Sequence, residues 1–459
     1  MSPNLQNNHN SQSRHRGTDL SNGNVKGFQS SFPGVIYSGP RGEPFPNIFD
    51  WLQAKRNGDN IGSLWRVHDN LYDLEAFVDK HPGGRDWIKF TKGTDITEAF
   101  ESSHIVGFKN VEKILEKYYV AAASEPRNSP FSFKKDGFYK TLKTKVEPIL
   151  KTVGTDSSHL ALQIEDGLAM TYLILALFSV WIDSVVLQVI AGLVLGMCIV
   201  GAHNFFHKRD NFRMYYMDLS PLSSFEWRLS HALSHHMYPN TVLDFEIMLS
   251  EPLVEFLPSR PKNFVQKYIA VFYVEAIYLL YGLSQIIVRA LSIIQGKQRL
   301  RPENLLIFLE LSIFMTIAPS HKSGIIAWII IFMMSSFWFI VVSNNSAHHH
   351  PDAFHDGDEP RIDPDFGLCQ LDATKGKSDW FHKPLFSVLT TFGEHPLHHL
   401  FPTICHSKLS HLKPALEETL KQFSEEFPQL TQLELFIGTH KQIGRTTRNR
   451  HKAAQQRGH

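Results

Sequence analysis

Cysteine is scarce in this sequence, and the spacing of the three cysteine residues is not typical of a disulfide framework or a metal site. Cys198, Cys369 and Cys405 form no C-x-x-C pair, which argues against both a disulfide scaffold and a thiolate zinc site. Excess charge is also lacking, because 46 Lys and Arg against 45 Asp and Glu leave a net charge of +1. This balance argues against a nucleic-acid-binding protein that relies on bulk positive charge. Residues 1–40 contain no continuous apolar run, so no secretory signal peptide is expected there.

Long apolar runs are present, although the mean hydropathy of −0.18 hides them. Residues 167–202 carry one charge, Asp183, and would form about 54 Å of helix, too long for one crossing of a bilayer core of about 30 Å. A break near Asp183 turns this run into a helical hairpin. The sequence therefore predicts a membrane protein with four spans, at residues 167–182, 184–202, 304–318 and 324–343.

A fifth apolar stretch, residues 268–288, is more amphipathic than the others. It contains Glu275 and Gln285 and is flanked by Lys267 and Arg289, so we expect it to lie at the membrane interface. If it crossed, the basic loop at residues 296–302 would move to the far side, against the positive-inside tendency. Four spans place both chain termini on the same side of the membrane.

The stretch from Val67 to Gly84, with His81-Pro82-Gly83-Gly84 at its end, is followed 23 residues after His81 by a second histidine, His104. Together these residues resemble a cytochrome b5 domain. The resemblance implies one haem b with His81 and His104 as its axial ligands. A haem iron with two imidazole ligands has no open position, so it transfers electrons and does not bind dioxygen.

Four histidine groups lie in or after the membrane part, at residues 203–207, 231–236, 348–350 and 395–399. Histidines at i and i+4 share a helix face, so His203 with His207 and His231 with His235 can each converge on a point. Adjacent histidines on a helix diverge by about 100°, so each doubled pair can serve two metals. The set suits two iron ions, although imidazole also binds zinc or copper. Iron is favoured by the haem domain on the same chain.

These groups, arranged around two membrane hairpins, resemble the cytochrome b5-fused membrane fatty-acid desaturase family from residue 45 to about 430. The resemblance implies that two non-haem iron ions are bound by His203, His207, His231, His235, His236, His395, His398, His399 and one of His348, His349 or His350, with His348 preferred. Two features depart from the family. His395 stands where front-end desaturases usually have Gln, and the second group, H-x-x-x-H-H, is similar to that of alkane hydroxylases.

The sequence thus predicts an N-terminal α+β cytochrome b5-like domain followed by an all-α, four-span desaturase-like domain with a histidine-rich cytosolic cap. We expect a disordered tail at 1–40, the haem-binding domain at 43–122, a linker at 123–160, the desaturase-like domain at 161–435 and a basic tail at 436–459. Four carboxylates beside the histidine groups could orient metal ligands, or could equally be solvated surface groups: Asp210, Asp218, Glu226 and Glu394.

The expected function is desaturation of fatty acyl chains, with electrons passing from the haem to the di-iron centre and with dioxygen as oxidant. Expected partners are NADH-cytochrome b5 reductase, an acyl-lipid or acyl-CoA substrate and membrane lipids, with no nucleic acid. The expected location is the endoplasmic reticulum membrane, with both termini and the metal sites in the cytosol. Two alternatives stay open: an acyl or lipid hydroxylase on the same scaffold, and a haem electron-transfer protein whose desaturase-like half is an inactive anchor.

Overall fold

The structure is a computed structural model that describes residues 27–450, and for residues 342–346 and 381 only the backbone is described. An α+β region is followed by a helical region with long apolar helices, which confirms the predicted fold class. Predictions for residues 1–26 and 451–459 lie outside the described residues.

A short antiparallel hairpin comes first in the described chain, with strands β1 (Phe28–Gln29) and β2 (Ile36–Tyr37). The prediction of a disordered tail at residues 1–40 is therefore wrong for residues 27–40. Phe32 and Val35 are buried, and the Ser30 hydroxyl donates to Asp356 Oδ2 at 2.7 Å. The partner surface lies 326 residues further along the chain, so local composition could not indicate it.

The cytochrome b5-like domain is built on a three-stranded antiparallel sheet in the order β3–β4–β5. Trp65 and Phe100 lie in a small apolar core of this domain. Its elements are α1 (Ile48–Asp59), β3 (Trp65–Val67), β4 (Asn70–Tyr72), a 3-10 helix (Glu75–Lys80), α2 (Arg85–Phe90), α3 (Thr97–Ser103), α4 (Phe108–Leu115), a 3-10 turn (Glu116–Tyr118) and β5 (Tyr119–Ala122).

The predicted linker at residues 123–160 contains a helix, α5 (Phe138–Val153). Its buried side chains include Phe138, Leu142, Val146 and Leu150, which recur at the spacing of one helix face. The polar and charged residues between them gave the segment the composition of a linker.

The helices that follow form the membrane part and the first half of the histidine-bearing region. In chain order they are α6 (His159–Trp181), α7 (Val185–Ala202), 3-10 turns (His203–Phe205 and Phe212–Leu219), α8 (Ser224–Trp227), a π-helix (Arg228–His235), α9 (Phe245–Met248), a π-helical turn (Val265–Ile269), α10 (Ala270–Ile294), a 3-10 turn (Pro302–Leu305), α11 (Leu306–Ile317) and α12 (His321–Phe337).

Four helices of the described chain are long and apolar enough to cross a membrane: His159–Trp181, Val185–Phe205, Val265–Ile294 and His321–Val341. The count agrees with the prediction, but one member differs. The predicted span at 304–318 contains a helix of only 12 residues, about 18 Å long, and the 3-10 turn Pro302–Leu305 directly before it adds about 8 Å. The amphipathic stretch, by contrast, is part of one of the four long helices.

Both ends of α10 nevertheless contact segments that surround the histidines. Near its C-terminal end, Arg289 forms an ion pair of 2.9 Å with Glu226, next to the π-helix that carries His231. Near its N-terminal end, Glu275 accepts from His440 at 2.5 Å, on a helix that packs against His350. Length and composition would allow α10 to cross, whereas these contacts favour a position along the interface.

Helices α7 and α12 pack closely because glycine faces the contact. A Cβ atom at Gly192 would come within 2.5 Å of Ile331 O, and one at Gly196 within 2.6 Å of Trp338 Cβ. Small residues allow membrane helices to approach at backbone distance. This contact holds His203, at the end of α7, beside the segment that continues α12.

The remaining elements complete the histidine-bearing region. The prediction of a basic tail at 436–459 is wrong for residues 436–445, since residues 436–444 lie in the last helix and Arg445 forms an ion pair of 2.6 Å with Asp358. The elements are a π-helix (Trp338–Asn344), α13 (Asn345–His348), α14 (Phe366–Asp372), β6 (Gly376–Lys377), a 3-10 turn (Trp380–His382), α15 (Leu385–Thr390), α16 (His395–Leu400), α17 (His406–Leu409), a 3-10 turn (Ser410–Leu412), α18 (Lys413–Gln422), β7 (Gln429–Leu430) and α19 (Gln432–Gly444).

Candidate functional site

His81 and His104 face each other across a cavity in the N-terminal domain, with ring centroids 6.2 Å apart. The Nδ1–H of His81 donates to Gly84 O and that of His104 to Phe100 O, each at 2.9 Å, so the Nε2 atoms carry the lone pairs. Burial lowers the pKa of both rings, and that of His104 to about 4, which keeps them neutral at pH 7. Two neutral imidazoles in this arrangement fit a haem iron between them.

The cavity between these histidines has a volume of about 550 Å³, and both parts of the chain form its wall. Phe77 and Phe100 contribute apolar surface from the cytochrome b5-like domain, while Met237 and His207 contribute from the other part. An apolar cavity of this size suits a flat cofactor. His207 therefore borders the haem cavity as well as the histidine groups described below.

Buried ion pairs hold the two parts of the chain together. Glu101, in α3, accepts from Lys140 at 2.5 Å and from Lys143 at 3.0 Å, both in α5, and from His68 at 2.8 Å. Burial acts to raise the pKa of Glu101, but His68 and the two lysines outweigh it and lower the pKa to about 2. Because α3 ends at His104, these contacts also fix the position of a candidate haem ligand.

All nine histidines predicted as iron ligands are buried, and the structure brings them into two groups. Within each group, the candidate ligand atoms lie within 4.8 Å of one another. As expected, the doubled pairs are divided between the groups. The first group is His203, His207, His231, His236 and His398, and the second is His235, His348, His395 and His399.

The helix that carries the second histidine group is a π-helix, and it gives His231 two histidine neighbours. His231 and His235 lie together with Glu246, as their spacing predicts, and the His236 N–H donates to His231 O, a bond over five residues. The wider turn places His231 beside His236 in the first group, with Nε2 atoms 3.0 Å apart. His235 is left to join the second group.

The nitrogen atoms in the second group are arranged for a bound cation. The Nδ1–H of His235 donates to Asp244 at 3.0 Å and that of His348 to Ala373 O at 3.0 Å. The Nε2 atom of His348 therefore carries a lone pair, and it lies 3.1 Å from His235 Nε2 and 2.6 Å from His395 Nε2. Imidazole nitrogens that converge in this way suit iron, zinc or copper.

Burial lowers the pKa of several group members well below the usual range, among them His231 and His236. These rings are therefore neutral and able to donate a lone pair to a metal. At His235 burial acts in the same direction, but the carboxylates of Glu246 and Asp244 outweigh it and raise the pKa to about 9. Metal binding at His235 thus releases a proton.

Two carboxylates that sequence reasoning missed orient the second histidine segment. Glu246 Oε1 accepts from His231 Nδ1 at 2.8 Å, and Asp244 Oδ2 accepts from His235 Nδ1 at 3.0 Å. Glu246 lies in α9 and Asp244 caps it, in the short segment after the histidines. The one signal in the sequence was their position 9 and 11 residues after His235. Each fixes the ring of a histidine in a different group.

The carboxylates named from the sequence pair with other side chains. Glu226 binds Arg289, Asp210 binds Arg228 at 2.5 Å, Glu394 binds Lys413 at 2.6 Å, and Asp218 accepts from the Ser224 N–H at 3.2 Å. These contacts stabilise the segments around the histidine groups. A position near a histidine in the sequence therefore did not show which carboxylates accept hydrogen bonds from the histidine rings, as Asp244 and Glu246 do.

The structure separates the three consecutive histidines at residues 348–350. His348 joins the second group, whereas the ring of His349 stacks on Phe256 at 3.8 Å between centroids. His350 packs against Gly438 of α19. A further histidine, His406, was missed because it has no partner at i+4: its ring lies 4.4 Å from that of His398, and its Nδ1 donates to Asn204 Oδ1 at 2.6 Å.

Comparisons with known proteins agree with this geometry. The cytochrome b5-related protein of Drosophila melanogaster is 37% identical over 405 residues, which cover 87% of this chain and 92% of that protein. The acyl-lipid (8-3)-desaturase of Physcomitrium patens is 25% identical over 415 residues, covering 78% and 82%. The Delta(5) fatty acid desaturase A of Dictyostelium discoideum is 34% identical over 128 residues, covering 28% and 26%. No solved structure matches the chain.

Two family models match the chain in the order that the fold shows. Residues 50–124 match the cytochrome b5-like haem/steroid binding domain, and residues 179–430 match the fatty acid desaturase family. The first match contains His81 and His104, and the second contains all nine grouped histidines. The chain therefore belongs to the fatty acid desaturase family and carries an N-terminal cytochrome b5-like domain.

Proposed function

We propose that this chain is a membrane oxidoreductase that passes electrons from one haem b to two non-haem iron ions and desaturates fatty acyl chains. The observation that carries the proposal is the pair of buried histidine groups next to the haem cavity, with His207 bordering both. Electron transfer between two such sites needs no movement of the haem domain, which the ion pairs of Glu101 hold in place.

In this proposal each histidine group holds one iron ion. Iron bound there would supply dioxygen activation, which an unactivated C–H bond requires because acid–base chemistry cannot cleave it. The first ion is held by His203, His207, His231, His236 and His398, the second by His235, His348, His395 and His399, and the haem by His81 and His104.

Other side chains orient the ligands and exclude water. Glu246 and Asp244 fix His231 and His235 by accepting their Nδ1–H groups. Aromatic rings cover the groups on the apolar side: the Trp227 ring lies 4.6 Å from that of His231, and the Phe392 ring 4.5 Å from that of His203. This apolar cover suits a hydrocarbon substrate.

The membrane part suggests the source of the substrate. A small cavity of about 50 Å³ lies between His235 and side chains of α10, including Ile277 and Tyr281. Because α10 is largely exposed and apolar, an acyl chain could reach the histidines from the bilayer beside it. Acyl-lipid and acyl-CoA are the substrate classes that fit this approach.

The proposed location is the endoplasmic reticulum membrane, with both termini and the histidines in the cytosol and NADH-cytochrome b5 reductase as electron donor. The hairpins α6–α7 and α11–α12 each return the chain to the side of the histidines. The three cysteines are buried and free, as expected in a reducing compartment.

The test is metal analysis of the purified full chain, combined with lipid profiling by mass spectrometry in a host that lacks the activity. Desaturation predicts non-haem iron and products lighter by two hydrogens. A hydroxylase, which the H-x-x-x-H-H spacing favours, predicts iron and products heavier by one oxygen. Full haem without non-haem iron after anaerobic purification would refute the enzyme proposal in favour of an inactive anchor.

A further inference from the structure

The charges in the wall of the haem cavity are unevenly divided between the two parts of the chain. Apart from His81 and His104, the cytochrome b5-like domain lines the cavity with apolar and neutral polar side chains alone. Within the described residues, the charged groups of the wall are Asp156, Lys208 and Arg209, all from the desaturase part. Haem carries two propionate carboxylates, and the wall offers two cations that can pair with them, although Lys208 also contacts Asp156.

Both cations have hydrogen-bond donors available. Lys208 Nζ donates to Thr155 O at 2.8 Å and lies 3.3 Å from Asp156 Oδ1, which leaves one of its three N–H groups free. Arg209 is exposed and, among residues 27–450, has neither an ion pair nor a side-chain hydrogen bond. Its backbone lies against the loop that carries His81, because a Cβ atom at Gly84 would be 3.7 Å from Arg209 Cα.

We propose that Lys208 and Arg209 bind the propionates of the haem, so that the desaturase part completes the cofactor site of the other domain. This inference rests on the proposed binding of haem by His81 and His104. Lys208 and Arg209 follow His207 directly, so binding the propionates turns the carboxylate edge of the haem toward the segment that carries a candidate iron ligand. Arginine and lysine are well suited to carboxylates at such an edge.

The experiment measures haem transfer from the full chain to excess apomyoglobin, together with the haem reduction potential. We expect Arg209→Gln and Lys208→Gln each to release haem about two- to fivefold faster, as for a solvent-accessible ion pair. The potential should fall, because removal of the cation leaves the propionate charge uncompensated, and negative charge near the haem stabilises the oxidised iron relative to the reduced iron. Arg209→Lys should restore both values in large part.

Lys89→Gln is the matched control, since Lys89 is an exposed cation of the haem domain outside the cavity wall. A second control uses haem dimethyl ester, in which the propionates are uncharged: the wild type and Arg209→Gln should then release the cofactor at the same rate. Equal release of ordinary haem by the wild type and both Gln variants would overturn the inference. A wild type without a low-spin haem spectrum would instead refute the haem proposal itself.

Discussion

The imidazole rings of His235 and His236 lie at 88° to each other and belong to different histidine groups, although the residues are adjacent. His236 Nε2 lies 3.0 Å from His231 Nε2, whereas His235 Nε2 lies 3.1 Å from His348 Nε2. One helical segment thus supplies a side chain to each group. Substitution at either position should affect one metal more than the other.

We expect His235→Ala and His236→Ala each to lower the non-haem iron content by about half, because each removes one ligand from one group. The lipid product should be lost in both variants, and the haem spectrum should stay intact. Metal analysis and absorption spectra of the purified proteins measure both effects. His411→Ala is the control, since His411 is exposed and outside the groups. Unchanged iron in both variants would contradict the assignment of these histidines.

Removal of the Glu246 carboxylate should weaken metal binding without removing a ligand. We expect Glu246→Gln to lower the affinity for iron by about 10- to 100-fold, because the His231 ring loses the carboxyl acceptor of its Nδ1–H. Competition with a chelator measures this affinity. Glu394→Gln is the control: it is adjacent to His395 in sequence but pairs with Lys413, so its effect on affinity should be small. Equal effects of the two substitutions would argue against an orienting role for Glu246.

Glu101→Gln should loosen the contact between the haem domain and α5. The substitution leaves Lys140 and Lys143 without their carboxylate partner, at a cost of about 3 kcal/mol for a buried pair. Thermal unfolding and proteolysis of residues 123–137 measure the loss. Glu112→Gln, an exposed change in α4 of the same domain, should unfold like the wild type.

The stability contributed by Glu101 should depend on pH in acid. Its pKa is about 2 in the folded chain, below the ordinary value of 4.5, so the ionised form is favoured by folding. The contribution is therefore complete above pH 4.5 and is lost as the pH falls toward 2. The difference in unfolding free energy between wild type and Glu101→Gln should shrink over this range. If the difference in unfolding free energy stays constant down to pH 2, the substitution does not act through the loss of the ionised Glu101 carboxylate.

The position of α10 can be tested with glycosylation acceptors. If α10 lies along the interface, an acceptor inserted at Gly296, in the loop after it, stays in the cytosol and is not modified. An acceptor beside Lys322, in the turn between α11 and α12, should be modified because it faces the lumen. An acceptor after residue 440 should stay unmodified. Modification at Gly296 would show that α10 crosses the membrane and would overturn this topology.

The haem ligands can be tested in the full chain. His81→Ala and His104→Ala should each abolish the low-spin haem spectrum, since each removes one of two axial ligands. The non-haem iron content should stay the same, because the histidine groups lie in the other part of the chain. His411→Ala serves as control: it is exposed and does not line the cavity. A low-spin spectrum that survives both substitutions would refute the haem assignment.

The sequence alone was sufficient to predict the order of the domains, the presence of four long apolar helices and the nine histidines. These features depend on local patterns: His81-Pro82-Gly83-Gly84, charge-free runs such as residues 184–202, and histidines repeated at short spacing. Periodicity and residue type are properties of neighbouring residues, so they can be recognised from the sequence without a structure. The divergence of His235 from His236 followed from helix geometry in the same way.

Tertiary structure decided the features that depend on distant residues. Residues 27–40 were predicted to be disordered because their side chains find partners only in remote segments, as Ser30 does at Asp356. The helix at residues 138–153, within the predicted linker, likewise buries its apolar side chains in a core shared with remote segments. The π-helix at Arg228–His235 also placed His236 beside His231, which the sequence did not indicate. Asp244 and Glu246 were selected as acceptors by the fold of α9 over the carboxylates nearer in sequence. The contact between the haem cavity and His207 joins residues from two domains, and chain folding alone brings them together.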